Sequence, residues 1–354
     1  MSDAAALATI GWQPGLALPA LTGDQRLVRV IEQHRNGFVV HDGLVPARAE
    51  APRGLVAGDD GTPVRPAVGD FVIAAGQSEP LALLALLPRR SVLRRGAAGE
   101  RYRQQVLAAN IDLAVVVMGL DGDYNPRRLE RYLALVGAAG IETVVVLTKA
   151  DRHEDAAQRC AALAALAAPV PVWAVNAKDP QALAPLAARL GSGRTGVLLG
   201  SSGAGKSTIS NSLMGTVRQK TGDVRAHDSR GRHTTTVRSL LQLPGGGCLI
   251  DSPGMRELKF TGDEAVEVEC FGEIDALVDQ CRFRDCRHEG EPGCAVQAAI
   301  ASGHLDPARL AHFRKLSGER DAAAAQRDAL VRRAGEGGPG RAPGRRATDR
   351  PTRR

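Results

Sequence analysis

The sequence predicts a multidomain chain with an N-terminal β domain, a central α/β domain and a C-terminal helical domain held by a metal ion. Three observations carry this reading. Short β-type runs alternate with turn signals from Arg26 to about Leu87. The stretch Gly200-Ser201-Ser202-Gly203-Ala204-Gly205-Lys206-Ser207 follows the apolar run Gly196-Val197-Leu198-Leu199, in the pattern of a strand, a glycine-rich turn and a helix. Cys281, Cys286, His288 and Cys294 then fall within 14 residues, a spacing suited to metal ligation.

The chain of 354 residues has room for two or three domains, and its 44% hydrophobic content is ordinary for a globular protein. The net charge is +7, but residues 331–354 hold eight arginines against Glu336 and Asp349, a surplus of six, so most of the basic excess is a tail. No basic residue precedes Arg26, and the longest apolar runs, such as Leu81 to Leu87, are too short to span a bilayer. Neither a signal peptide nor a membrane segment is expected. A cytoplasmic setting follows, in which six cysteines are thiols or metal ligands rather than disulfides.

Residues 1–24, rich in Ala, Leu and Gly without a clear period, are expected to form a flexible arm. Residues 25–100 carry the runs Leu27 to Ile31, Gly37 to Val40 and Phe71 to Ile73. The turn signals Asp42-Gly43, Asp59-Asp60-Gly61 and Val68-Gly69-Asp70 separate them, which predicts a small barrel or sandwich. An oligonucleotide-binding barrel is one candidate, although only Phe38 and Phe71 supply an aromatic surface for stacking, and a β domain without nucleic-acid contact stays open. Arg89, Arg90, Arg94, Arg95, Arg101 and Arg103 then cluster, as a solvated charge run or as a phosphate contact.

Residues 101–262 alternate strand-like and helix-like segments. Leu113 to Met118 reads as a strand, the next segment sets Leu129, Tyr132, Leu133 and Val136 on one helix face, and Thr143 to Leu147 reads as a strand again. The second strand ends in Thr148-Lys149-Ala150-Asp151, similar to a guanine-reading N-K-x-D turn with Thr148 in place of Asn. A carboxylate at Asp151 accepts from the ring N1–H and exocyclic amine of guanine, a donor pair that adenine lacks, while the Lys149 stem packs over the base. One βα unit later, Asn176-Ala177-Lys178 occupies the place of an S-A-K element, whose backbone N–H meets guanine O6.

In the glycine-rich turn itself, backbone N–H groups from Gly200 to Gly205 form a nest for a diphosphate at the start of a helix. Lys206 reaches the β and γ phosphates there, Ser207 holds Mg²⁺, and Thr208 completes the first turn of the binding helix. Downstream, Gly231-Arg232-His233-Thr234-Thr235-Thr236 reads as a mobile loop whose threonine, taken as Thr235, closes on Mg²⁺ and the γ-phosphate. Asp251-Ser252-Pro253-Gly254 follows the run Cys248-Leu249-Ile250. There Asp251 holds Mg²⁺ through water and the Gly254 N–H meets the γ-phosphate. The base-reading elements thus precede the phosphate loop, an order that a circular permutation explains, since joining the original termini leaves the same sheet.

Residues 263–330 contain the cluster Cys281-x4-Cys286-x-His288-x5-Cys294. Three thiolates and one imidazole suit one tetrahedral structural Zn²⁺. Cys160, Cys248 and Cys270 lack such partners and read as small buried hydrophobes. Ala295 to Ala301 and Pro307 to Leu316 look helical, and the basic tail 331–354 is expected to be disordered.

The succession T-K-A-D, N-A-K, G-S-S-G-A-G-K-S, G-R-H-T-T-T, D-S-P-G and C-x4-C-x-H-x5-C resembles the circularly permuted small ribosomal subunit biogenesis GTPases, the RsgA or YjeQ family, over about residues 26–325. The resemblance implies an oligonucleotide-binding (OB-like) barrel, a permuted GTPase domain and a zinc-binding helical domain. It implies GTP, GDP and Mg²⁺ as ligands, and the small ribosomal subunit with its rRNA as partner in late maturation, with hydrolysis stimulated by the subunit. A monomer without membrane contact is expected. Met255 stands where many GTPases place the glutamine that orients the attacking water. An apolar side chain cannot do this, and His233 is expected to take over, the alternatives being an rRNA contact or a purely structural role in its loop. Two other readings stay open: a nucleotide-gated rRNA-binding scaffold with incidental hydrolysis, and a P-loop ATPase unrelated to ribosomes.

Overall fold

The computed structural model describes residues 4–58, 61–96, 104–215, 238–251 and 271–336. In chain order the elements are α1 (Ala4–Ala8), β1 (Arg26–Gln33), β2 (Phe38–His41), β3 (Pro46–Glu50), β4 (Val56–Ala57), β5 (Pro63–Val64), β6 (Phe71–Ala75), β7 (Leu81–Leu86), β8 (Val92–Gly96) and β9 (Gln104–Ala109). There follow β10 (Leu113–Gly119), α2 (Pro126–Gly137), β11 (Glu142–Thr148), α3 (Ala156–Ala167), β12 (Val172–Ala174), α4 (Ala184–Arg189), β13 (Thr195–Leu199) and α5 (Lys206–Met214). The last are β14 (Ser239–Gln242), β15 (Cys248–Asp251), α6 (Gly272–Val278), α7 (Ala295–Ala301) and α8 (Pro307–Glu336).

Alternating apolar positions close the N-terminal strands into a five-strand barrel, which settles the choice between barrel and sandwich. β1 pairs with β2, β2 with β3, β3 with β7, β7 with β6, and β6 back with β1. Closure removes the free edges that an open sheet would expose. Val28, Val30, Phe38, Val40, Val72, Leu81 and Leu83 fill the interior. A register shift between Val30 and Glu32 bends β1, so that its end pairs Glu32 with Ser239 of β14.

The central sheet runs β12-β11-β10-β13-β15-β14. All its pairings are parallel except β14 with β15. β10 is the run Leu-Ala-Val-Val-Val-Met-Gly, buried at every position, as a strand covered by helices on both faces requires. Asn125 starts α2 by accepting the Arg128 N–H at 3.0 Å, with Pro126 in the first turn. Leu129, Tyr132, Leu133 and Val136 then pack on the sheet as their spacing predicts.

Two expectations need correction. Residues 4–12 are not a loose arm, because Leu7, Ile10 and Trp12 pack with Leu27 and Phe71 over the barrel. Trp12 meets Phe71 edge to face at 4.9 Å between centroids. Tertiary contacts order this segment, so it shows no local period. At the other end α8 continues to Glu336, six residues into the stretch expected to be disordered. The alanine run Ala322 to Ala325 within α8 has high helix propensity and carries it onward; residues 337–354 lie outside the described residues.

The arginine cluster holds a third arrangement, neither solvated nor ready for phosphate at its first two members. Arg89 grips the fully buried Asp70 with Nε at 2.8 Å and a terminal nitrogen at 2.6 Å, and Arg90 pairs with Asp112 at 3.0 Å. Burial raises the Asp70 carboxyl above its usual range, against the opposing pull of Arg89.

Candidate functional site

The carboxyl ends of the parallel strands β10, β11, β13 and β15 share one edge, the place where an open α/β sheet receives ligands. The turn after β13 carries positive φ at Gly200 (144°), Gly203 (80°) and Gly205 (101°). A Cβ on Gly200 would lie 2.2 Å from the Val117 carbonyl oxygen, so only glycine lets the turn cross β10 this closely. Lys206, Ser207 and Thr208 form the first turn of α5. The Lys206 ammonium donates to the Gly200 and Ser201 carbonyls at 2.8 and 2.5 Å. Ser202 is exposed, whereas Ala204 is buried beneath the turn.

The T-K-A-D turn lies against this loop. Thr148, 1% exposed, donates its hydroxyl to the Ala204 carbonyl at 2.6 Å. A Cβ on Gly205 would meet Thr148 side-chain atoms at 2.9 to 3.1 Å. Lys149 takes φ 63°, and its ammonium donates to Asp121 at 2.5 Å and to the Gly203 carbonyl at 2.8 Å. Asp151 is exposed at the mouth. Asn176 caps its own turn, accepting the Lys178 N–H at 3.0 Å. Ala177 is buried, with its carbonyl taking the Ser212 hydroxyl of α5 at 2.7 Å, and Lys178 is exposed. Asp251 ends β15 almost buried, at 9% exposure, next to β13 in the sheet. His233, Thr234, Thr235, Thr236, Gly254, Met255 and Cys270 lie outside the described residues.

Two carboxylates that the motif reading passes over stand in this site. Asp121 and Asp123 follow the end of β10. Asp123 accepts from the Gly119 N–H at 3.0 Å, from the Ser201 hydroxyl and from Arg128. Partial burial alone would raise the Asp121 carboxyl, but the hydrogen bond from the Lys149 ammonium holds it below its usual range. Their one sequence signal was position, as acids at the carboxyl end of a parallel strand.

At the C-terminal cluster, the ligand atoms of Cys281, Cys286, His288 and Cys294 lie within 4.8 Å of one another. His288 Nδ1 sits 3.6 Å from Cys281 Sγ and 3.5 Å from Cys294 Sγ, and the two sulfurs are 3.9 Å apart. A tetrahedral zinc with bonds of about 2.3 Å to sulfur and 2.0–2.1 Å to nitrogen gives edges of roughly 3.8 and 3.6 Å. The donor set therefore fits zinc in both chemistry and spacing. Glu291 shapes the loop between the ligands by accepting the N–H groups of Arg287, Glu289 and Gly290 at 2.8, 2.7 and 3.1 Å. Its own backbone N–H and these donors hold its carboxyl at about 2. Arg314 of α8 ties the loop down, donating to the Arg287 and His288 carbonyls at 2.7 Å each.

A phosphate loop and the T-K-A-D turn on one carboxyl edge, in permuted chain order beside a five-strand barrel and a Cys₃His cluster, define the class: a circularly permuted P-loop GTPase. The RsgA GTPase family model matches residues 86–261. The small ribosomal subunit biogenesis GTPase RsgA of Xanthomonas axonopodis pv. citri is 50% identical over 364 residues, covering 99% of this chain and 98% of the relative. Its namesake from Xanthomonas euvesicatoria is 52% identical over 330 residues, covering 92% and 89%. Among solved structures, YjeQ from Thermotoga maritima aligns with a TM-score of 0.59 at 23% identity, over 84% of this chain and 98% of that one. YloQ, a circularly permuted GTPase, aligns at 0.57 and 24%, over 84% and 96%. The chain belongs to the RsgA family of small ribosomal subunit biogenesis GTPases.

Proposed function

We propose that this chain hydrolyses GTP to GDP and phosphate while docked on the small ribosomal subunit late in that subunit's maturation, and that the subunit stimulates hydrolysis. The observation that carries the nucleotide reading is the bonding of the T-K-A-D turn to the phosphate loop, through Thr148 to Ala204 and Lys149 to Gly203. That bonding ties the turn that carries Asp151 to the glycine-rich loop, which supports reading Asp151 as the guanine contact. The small ribosomal subunit is taken as partner from the names of the relatives. The protein acts as a monomer in the cytoplasm, and no helix among the described residues is long and apolar enough to cross a membrane.

In this reading the N–H groups of residues 200–205 hold the diphosphate, and Lys206 leaves its loop carbonyls for the β and γ phosphates. Ser207, Thr235 and Asp251 hold Mg²⁺, which neutralises phosphate charge when bound. Asp151 and Lys149 read and cover the guanine, and the turn at Asn176, Ala177 and Lys178 supplies the N–H for guanine O6. The Gly254 N–H meets the γ-phosphate, and His233 orients the attacking water that Met255 cannot. Zinc on Cys281, Cys286, His288 and Cys294 shapes the C-terminal unit, which with the barrel contacts rRNA.

The test is the hydrolysis rate of the purified protein with and without small ribosomal subunits, with ATP and large subunits as controls. Stimulation confined to GTP and the small subunit is expected, and an unchanged rate would sink the partner assignment. His233→Ala should abolish the stimulated rate while leaving GTP affinity near wild type; a normal stimulated rate would remove His233 from the mechanism.

A further inference from the structure

A half-open groove of about 380 Å³ runs between α2 and α8. Arg127, Arg128 and Arg131 line it from α2, and His312 and Lys315 from α8, with Ala308 and Ala311 leaving room between the walls and no carboxylate in the lining. The helices are joined at its side and base by Arg131 to Glu319 at 2.7 Å and His312 to Glu130 at 2.5 Å. Arg128 is turned back to Asp123. Arg127 and Lys315 are exposed and have no carboxylate within ion-pair distance among the described residues.

These two cations line the groove from different helices, and its lining holds no group of opposite sign. Burial, and then the fields of Arg127, Arg309, Arg131 and Lys315, push the His312 imidazole below its ordinary range, and its Nδ1 meets Glu130 at 2.5 Å. The groove is thus built for an anion. Its lining offers arginine forks and one ammonium, which match phosphate oxygens. It offers no large apolar or aromatic pocket to anchor a peptide, the feature on which protein partners depend.

We propose that this groove seats backbone phosphates of an RNA strand, with Arg127 and Lys315 as its two free contacts. The proposal rests on the reading that the chain docks on the small ribosomal subunit, and names a surface for that docking.

The test compares wild type with Arg127→Gln/Lys315→Gln, both surface changes, after checking that melting temperature and subunit-free GTP turnover are unchanged. Affinity is measured as a function of salt in two arms: purified small ribosomal subunits, and a fluorescein-labelled RNA duplex of about 20 base pairs. Losing two phosphate contacts should make the slope of log affinity against log salt shallower by about 2 and weaken binding on the order of tenfold near 0.1 M salt. Equal affinity and slope for the variant in both arms would overturn the proposal. A variant weakened toward subunits but unchanged toward the duplex would make the occupant an acidic protein segment, and RNA would be wrong. If wild type itself ignored small subunits, the functional reading above would fall, and the duplex arm alone would decide the groove.

Discussion

Thr148 is the sharpest point at which to perturb the site. Its hydroxyl donates to the Ala204 carbonyl at 2.6 Å in a buried position, and the Gly205 backbone passes so close that a Cβ there would touch three of its atoms. Thr148→Val keeps the shape and removes the donor, so no cavity opens and the whole effect is the loss of a donor to a buried acceptor. That costs about 1–3 kcal/mol. The bond joins the end of β11 to the phosphate loop and lies outside the sheet ladder, so the cost should fall on loop order and hence on nucleotide binding. Expressed wholly there, it weakens GDP affinity by about 5-fold to about 150-fold. Titration with a fluorescent GDP analogue, alongside a thermal melt, checks this. Thr148→Ser should bind almost as wild type. Wild-type affinity for the valine variant would refute the idea that this bond organises the loop.

Three further outcomes are expected. Purified protein should contain one zinc per chain by elemental analysis, and Cys294→Ser should lose it together with the order of the loop between Cys281 and Cys294, seen as new protease cleavage; full zinc content in that variant would exclude the Cys₃His assignment. Glu291, held at about 2, contributes its order fully above the ordinary glutamate pKa and loses it as pH falls below that pKa to about 2, so it stays ionised at neutral pH. Glu291→Gln should therefore release zinc faster to a chelator, with a difference from wild type that does not change between about pH 6 and 8; equal release would deny Glu291 a part in shaping the metal loop. Gly200→Ala forces a Cβ to 2.2 Å from the Val117 oxygen at φ 144°. It should lower stability by at least about 1–3 kcal/mol and abolish GDP binding, whereas Gly245→Ala, with open space around it, should do neither.

What could be read from the sequence was what short, local chemistry specifies. The phosphate loop was legible because its glycines, lysine and serine have fixed offsets, and the metal cluster because four ligands fall within one loop. The central strands were legible because burial on both faces leaves a continuous apolar run. Contacts between distant segments were not. Trp12 and Ile10 gain their order from Leu27 and Phe71, so no local period announces them. Asp123 reaches Ser201 across 78 positions, and Arg89 finds Asp70 only once the barrel has closed. Sequence also gave no sign that barrel and α/β sheet are joined edge to edge through Glu32 and Ser239.

That junction bears on where a nucleotide-dependent movement can go. Arg29 of β1 is fully buried, and burial lowers its pKa. It donates to Gly69 at 3.0 Å, to Ile10 at 2.5 Å, to the Thr195 hydroxyl at 2.7 Å and to Asn110 at 3.1 Å, with its guanidinium 4.7 Å from the centre of the Phe71 ring. These acceptors belong to the barrel, the N-terminal segment, the start of β13 and the approach to β10. Swinging the barrel against the sheet would leave a buried cation without acceptors, a penalty of several kcal/mol. The barrel is therefore fixed to the base of the phosphate-loop strand. Asp251 ends β15 in register with Ser239, the β14 residue that pairs with Glu32 of the barrel, and it precedes α6, α7 and α8 in the chain. That unit is joined to α2 by the contact of Glu130 with His312 at 2.5 Å and the ion pair of Arg131 with Glu319 at 2.7 Å. A movement at the nucleotide edge that swung the barrel would have to break the Arg29 bonds first.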